Sequence, residues 1–137
     1  MLPISVETIR LFLHITAAAI WVGGQLTLLG LLPTLRAIGP EAPKAAARRF
    51  STIAWSAFAV LFLTGIWNLL AESPGSMGTA WNATLGLKLL MVAATGIAAA
   101  FHAGARTKPL IALGGAVSLL AGLAAVLLGV MLSSAPG

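Results

Sequence analysis

Four long apolar stretches occupy most of this 137-residue chain and limit what it can fold into. They cover about residues 7–32, 45–70, 81–102 and 110–132. Each stretch reaches the roughly 20 residues that an α-helix needs to cross about 30 Å of hydrocarbon. Hydrophobic residues make up 59% of the chain and charged residues 8%, a balance that excludes an ordinary soluble domain. The sequence therefore predicts an integral membrane protein.

The connections between these stretches are short and rich in Pro, Gly and Ser. Pro33 is expected to end the first helix, and Pro109 falls where a first helical turn tolerates proline. Helices joined by such short loops pack antiparallel to their neighbours. We predict an all-α protein with a single domain over residues 1–137, an up-down four-helix bundle.

The basic residues lie mainly in two loops, those after the first and third spans. They are Arg36, Lys44, Arg48, Arg49, Arg106 and Lys108. The net charge of +5 therefore reflects the positive-inside pattern of a membrane protein, and no nucleic-acid partner is expected. The connection at residues 71–80 has only Glu72, and residues 133–137 carry no charged side chain. Both termini are predicted to be extracytoplasmic.

A line of polar residues runs along the third span. Lys88, Thr95 and His102 follow Trp81 at intervals of seven residues. A lysine inside a membrane is costly, and by default it marks a functional site. This line is the strongest pointer to function in the chain.

Small residues recur at the same interval in the third and fourth spans. They are Gly86, Ala93, Ala100, Gly115, Gly122 and Gly129. Ridges of small residues let two helix backbones approach closely. If the two ridges meet, the polar line points elsewhere, either into the bundle beside the first two spans or toward a partner protein.

The first span has a polar face of its own. Glu7, His14 and Trp21 are seven residues apart. Arg10 and Gln25 lie four residues before and eleven residues after His14, close to the same azimuth. This face is expected to turn toward the interior of the bundle.

Depth along the helices separates the polar residues into two sites. At 1.5 Å per residue, His14 lies about 10 Å inward of Glu7, and Lys88 about 10 Å inward of Trp81. We predict that His14 and Lys88 face each other in the outer leaflet. His102 lies about 30 Å from Trp81, near the cytoplasmic surface, so His14 and His102 of one subunit cannot share a metal ion.

Four segments carry a resemblance to a known family. HITAAAIWVGG begins at His14, RFSTIAWSA at Arg49, TGIW at Thr64 and LGLKLL at Leu85. In this order and spacing they resemble the membrane domain of the copper-resistance D (CopD-like) family. The resemblance implies a multi-pass protein of the bacterial inner (plasma) membrane that handles copper for uptake or tolerance.

The CopD-like resemblance also implies which residues matter. It maps the first-span His to His14, the following Trp to Trp21 and the third-span Lys to Lys88. The chain has no cysteine, so a copper ligand must be a His, Met or carboxylate side chain. The candidate metal ligands are His14, His102 and Met91.

A second resemblance leaves the cofactor open between copper and haem b. His14, the Trp seven residues later, the Gly two residues after that, and Lys88 followed by a His are similar to the HemJ-type protoporphyrinogen oxidases. That similarity implies a b-type haem or porphyrin with His14 as axial ligand. Arg10 or Lys88 could meet its propionates. The candidate cofactor-binding residues are His14, Lys88, Arg10 and Trp21.

Catalysis by side chains alone has little support in the sequence. The chain contains three acidic residues and no phosphate loop or metal-hydrolase motif. An enzyme of this sequence would be a haem-dependent oxidoreductase of the protoporphyrinogen oxidase type. A further alternative is a structural subunit that contacts lipid and the helices of a membrane complex. The chain is otherwise expected to bind copies of itself and form a homo-oligomer.

Overall fold

The computed structural model of the protein describes residues 1–135. Its five α-helices are α1 (Val6–Ala18), α2 (Gly24–Ile38), α3 (Ala42–Glu72), α4 (Thr79–Gly104) and α5 (Lys108–Ser133). These residues contain no strand, which confirms the all-α prediction. Pro136 and Gly137, part of the uncharged tail used in the topology prediction, lie outside the described residues.

The helices form four crossings long and apolar enough for a membrane. A π-helical turn, Ala19–Gly23, joins α1 to α2, so the first crossing is one helix of 33 residues, Val6–Ile38. The other three contain 31, 26 and 26 residues. The prediction of a four-span membrane protein is confirmed. The predicted ends agree with the structure within about three residues, except at the end of the first crossing.

The prediction that Pro33 ends the first helix is wrong. The helix continues through Pro33 to Ile38, and Gly39 follows as its C-cap. Proline removes one backbone hydrogen bond and crowds the preceding turn. Membrane helices tolerate this loss where neighbouring groups satisfy the backbone carbonyl that proline leaves free.

Local sequence explains the other helix boundaries. The Ser5 side chain accepts a hydrogen bond from the Thr8 backbone N–H, and the Thr8 hydroxyl accepts one from the Ser5 N–H. This capping box begins α1. Pro109 lies in the first turn of α5, as predicted. In the first turn of α4, the Asn82 side chain donates to the carbonyl groups of Pro74 and Met77 in the preceding loop, both at 3.0 Å.

The chain divides into two compact units, Met1–Glu72 and Ser73–Gly137. In the first unit, α1 and α2 pack along α3. Trp21, only 2% exposed, packs there against Trp55 and Phe58, with ring centroids 5.3 and 4.6 Å away. The single four-helix bundle and the extracytoplasmic location of both termini stay predictions.

The π-helical turn changes which residues share the polar face of the first crossing. A π turn holds one residue more than an α turn, so it rotates the following residues by about 100° relative to α1. Gln25 is therefore not at the azimuth of His14, contrary to the sequence-based expectation. Its side chain donates instead to the Trp21 carbonyl oxygen, at 3.0 Å.

In the second unit, the glycine ridge of α5 faces the polar line of α4. A Cβ on Gly115 would lie 3.2 Å from the His102 ring, and one on Gly129 would lie 3.3 Å from Lys88 Nζ. Gly122, between them, is buried. The small-residue ridge of α4, by contrast, is exposed, at Gly86, Ala93 and Ala100. The two ridges therefore do not meet.

The reason for this arrangement is the size and chemistry of the facing side chains. Glycines on α5 leave room for the longer side chains of the α4 polar line, and α5 supplies hydrogen-bond acceptors. Packing glycine against glycine would turn a Lys and a His toward hydrocarbon, which is costly. The small-residue ridge of α5 therefore packs against α4, whereas the small-residue ridge of α4 does not face α5.

We predict that Gly114→Leu weakens the packing of α4 on α5 by about 1–3 kcal/mol, a usual cost of overpacking. A Cβ at Gly114 would lie 3.0 Å from the backbone of His102. The matched control is Gly86→Leu, since nothing lies within 4 Å of a Cβ at that position. The free energy of unfolding in mixed micelles checks this, and equal losses for both variants would contradict the packing.

Candidate functional site

The polar face of α1 contacts α3 through His14. Its Nδ1 lies 2.9 Å from Thr64 Oγ1, within hydrogen-bond distance. Thr64 is 5% exposed, so this bond is sheltered from solvent. The next residue is Gly65, where a Cβ would lie 3.7 Å from His14 Cε1. The imidazole therefore rests against the backbone of α3.

Arg10, one turn before His14, is a buried cation at the same helix pair. It is 4% exposed. Its Nη2 lies 3.8 Å from Glu7 Oε1 and 3.9 Å from Glu72 Oε1. These distances are ion pairs but too long for hydrogen bonds. Both carboxylates are far more exposed than the guanidinium, so Arg10 extends from the interior toward an acidic outer edge.

The antiparallel register of α1 and α3 places Arg10 opposite Asn68. Arg10 lies four residues outward from His14, and Asn68 lies four residues beyond Thr64, so the two share a level about 6 Å from the His14–Thr64 bond. Arg10 Nη1 and Asn68 Oδ1 are both buried, and neither has a hydrogen-bond partner within residues 1–135. We call Arg10, His14, Thr64, Asn68 and Glu72 the polar ladder.

Three of the five members of the polar ladder were missed from the sequence. Thr64, Asn68 and Glu72 were not predicted as site residues. A usable signal exists, because polar residues four apart lie on one face of a helix. Glu72 was assigned to the loop after the second span, whereas it is the last residue of α3. That boundary hid the third member of the series.

Thr95, in the middle of the α4 line, forms a reciprocal pair with Ser118 of α5. The Thr95 hydroxyl donates to the Ser118 carbonyl at 2.6 Å, and the Ser118 hydroxyl donates to the Thr95 carbonyl at 3.0 Å. Both side chains are 2% exposed. Polar side chains bonded across two membrane helices stabilise their association. This part of the line holds α4 and α5 together.

His102 forms a second bond between the same helices. Its Nδ1 lies 2.6 Å from the Ile111 carbonyl oxygen. A carbonyl can only accept, so Nδ1 carries a proton and donates it. Lys88, at the other end of the line, extends over Gly129. In the polar line of α4, Thr95 and His102 thus bond to α5, whereas Lys88 places a cation over it.

One comparison with known proteins identifies the family. The family model described as Copper resistance protein D matches residues 44–135, more than half of the chain. The chain belongs to the copper resistance protein D family. No curated protein and no solved structure matches it.

Membership in this family makes the chain a copper-resistance membrane protein. The matched region contains α4, α5 and nearly all of α3, so it includes Thr64, Lys88 and His102. His14 and Arg10 precede it. The CopD-like resemblance read from the sequence is confirmed by the match. The similarity to the HemJ-type oxidases stays a prediction.

The structure distributes the predicted cofactor residues over its two units. His14, Arg10 and Trp21 lie in the first unit and Lys88 in the second. Arg10 and His14 belong to the polar ladder, while Trp21 belongs to the aromatic core. The pairing of His14 with Lys88 stays a prediction, as does the role of each candidate.

The predicted metal ligands do not form one cluster in the second unit. Met91 and His102 are eleven residues apart on α4, about 16 Å along the helix axis. Within residues 1–135, no group of three or more His, Cys, Asp or Glu side chains is placed to hold a metal ion. The donor set therefore does not fit a resident metal centre built by these residues alone.

We predict that Thr95→Val and Ser118→Ala each weaken the packing of α4 on α5 by about 0.6 to 1.7 kcal/mol, from the average to the largest value for a hydrogen bond between membrane helices. Each hydroxyl donates to a backbone carbonyl that the other substitution leaves in place, so each variant removes one bond. Reversible unfolding in mixed micelles measures the losses. Variants as stable as the wild type would contradict the reciprocal pair.

Proposed function

We propose that this protein handles copper at the bacterial inner membrane, for uptake or tolerance, and that His14 binds the ion in transit. The observation that carries the proposal is the hydrogen bond between His14 and Thr64. It holds an imidazole, a good copper ligand, in a fixed orientation inside a membrane span. Family membership supplies the link to copper.

The charges beside His14 are compatible with a cationic cargo. Arg10 repels a copper ion, but Glu7 and Glu72 place two carboxylates against that one guanidinium. Both carboxylates lie at the outer edge, where an ion arriving from the extracytoplasmic side would meet them first. Imidazole and carboxylate donors suit Cu(II) better than Cu(I), which prefers sulfur.

Copper is cargo in this proposal, so its remaining ligands need not belong to the chain. Water, a second copy of the chain or a partner protein can supply them. A weak and incomplete ligand set suits an ion that must leave again. In the proposed homo-oligomer, two His14 side chains would meet at one interface. The copper titration described below would also detect binding there.

The membrane orientation proposed here rests on charge. Two loops contain most of the basic residues, and basic loops are retained on the cytoplasmic side. This orientation places the outer end of the polar ladder, with Glu7 and Glu72, on the extracytoplasmic side. Copper would then reach His14 from outside.

We predict that His14→Ala lowers the copper affinity of the purified protein in lipid nanodiscs by at least about tenfold, since loss of even an outer-shell partner costs 10–100-fold. Copper titration followed by mass spectrometry of retained metal measures this. Ser56→Ala is the control, because that exposed hydroxyl donates to the Thr52 carbonyl of its own helix. Equal retention by both variants would remove His14 from the proposal.

The predicted pairing of Lys88 with His14 has its own test. An ammonium near the imidazole disfavours a second positive charge there, so Lys88→Met should leave the protein folded and strengthen copper binding. The expected gain is on the order of tenfold, about 1.4 kcal/mol in binding free energy. Copper titrations that overlay the wild-type curve would contradict the pairing.

Haem or porphyrin binding is the second candidate. It is favoured by an oriented imidazole with a buried guanidinium about 6 Å along the same helix, suited to an axial ligand and a propionate partner. Bound haem would supply redox chemistry, and His14 and Arg10 would hold it. A Soret band lost in His14→Ala would favour haem, and its absence from protein purified after haem-supplemented expression would remove it.

The structural-subunit alternative has one feature in its favour. The small residues of α4, Gly86, Ala93 and Ala100, are exposed and could contact a helix of a larger complex. Stoichiometric co-purification with other subunits, together with no copper retention, would favour this role over copper handling.

A further inference from the structure

Thr64 is surrounded by three groups that compete for its single hydroxyl proton. Its Oγ1 lies 2.7 Å from the Val60 carbonyl oxygen and 3.2 Å from the Leu61 carbonyl oxygen. The third group is His14 Nδ1, at 2.9 Å. A carbonyl oxygen can only accept a hydrogen bond, whereas a ring nitrogen can either donate or accept.

The position of the Thr64 proton follows from these distances. If the hydroxyl donated to His14, two oxygens would face each other at 2.7 Å with no hydrogen between them. The hydroxyl therefore donates to the Val60 carbonyl, the common back-bond of a threonine within a helix. Thr64 Oγ1 then accepts from His14, and His14 Nδ1 must carry a proton.

We infer that Thr64 is the positioning residue of the copper-binding imidazole, and that it selects Nε2 of His14 as the atom that binds copper. The inference rests on the proposed function only for the identity of the bound ion. A neutral imidazole has one protonated nitrogen and one lone pair. Because Nδ1 carries the proton that it donates to Thr64, the lone pair is on Nε2.

The hydrogen-bond chain also tunes the imidazole. His14 Nδ1–H donates to Thr64, and Thr64 donates to Val60, so each bond polarises the next. Donation from the second ring nitrogen raises the basicity of a ligating histidine and fixes its ring orientation. Within a span this effect is not weakened by competing water. The Val60 carbonyl of α3 thereby polarises the imidazole of His14 through the Thr64 hydroxyl.

His102 provides a built-in reference for the experiment. Its Nδ1 also carries a proton, which it donates to the Ile111 carbonyl. Thr64 takes no part in that bond. Nitrogen NMR of imidazole-labelled protein in lipid nanodiscs distinguishes a protonated ring nitrogen from one with a lone pair. The chain has two histidines, so His14→Gln and His102→Gln assign the signals.

The experiment compares wild type with Thr64→Val and Thr64→Ser, first without metal and then with Cu(II). Valine has the same shape but no oxygen, whereas serine keeps the hydroxyl. We expect His14 to have Nδ1 protonated in wild type and in Thr64→Ser. In Thr64→Val the proton should move to Nε2, and copper affinity should fall about 10–100-fold. His102 should stay unchanged in all three.

Each outcome has a distinct meaning. If His14 keeps Nδ1 protonated in Thr64→Val, or has its lone pair there in wild type, the inference is wrong even if copper binds. If the tautomer changes as expected but copper affinity is equal in Thr64→Val, the claim on the donor atom is wrong. If His14→Ala also binds copper normally while the tautomer depends on Thr64, the proposed function fails and the positioning role stands.

Discussion

Hydrogen bonds that polar side chains form across paired helices are the interaction on which this structure depends. Inside hydrocarbon a polar group has no water to bond, and leaving it unbonded costs several kcal/mol. Thr95 with Ser118, and His102 with Ile111, meet that demand between α4 and α5. His14 with Thr64 meets it between α1 and α3. Each bond lies within one unit of the chain.

Small residues make these bonds possible between α4 and α5, whereas the polar ladder between α1 and α3 ends at an acidic edge. Glycines along α5 let His102 and Lys88 lie across the helix pair. Along α1 and α3, the polar ladder has no such need of glycine, because its side chains meet between the helices. The polar residues between α4 and α5 therefore hold two helices together, whereas those between α1 and α3 lead to the exposed carboxylates of Glu7 and Glu72. The ladder combines an oriented imidazole, at His14, with two exposed carboxylates that contact the neighbouring Arg10.

Composition and length were sufficient to predict the four crossings, because hydrocarbon thickness fixes how long an apolar helix must be. They were not sufficient at Pro33, because a membrane helix tolerates a proline and the local sequence does not show where it does so. Gln25 was misplaced because a π-helical turn has no sequence signature that periodicity detects. The seven-residue spacing of Lys88, Thr95 and His102 predicted a shared face but not its neighbour, and Thr64 needed the register of α1 on α3, which only the fold supplies.

X-ray absorption at the copper edge tests the proposed bond between copper and the imidazole of His14. Copper-loaded protein in nanodiscs should show the multiple-scattering pattern of a coordinated imidazole. His14→Gln should abolish that pattern, and His102→Gln should preserve it. A pattern that survives His14→Gln, or that disappears in His102→Gln, would contradict the account.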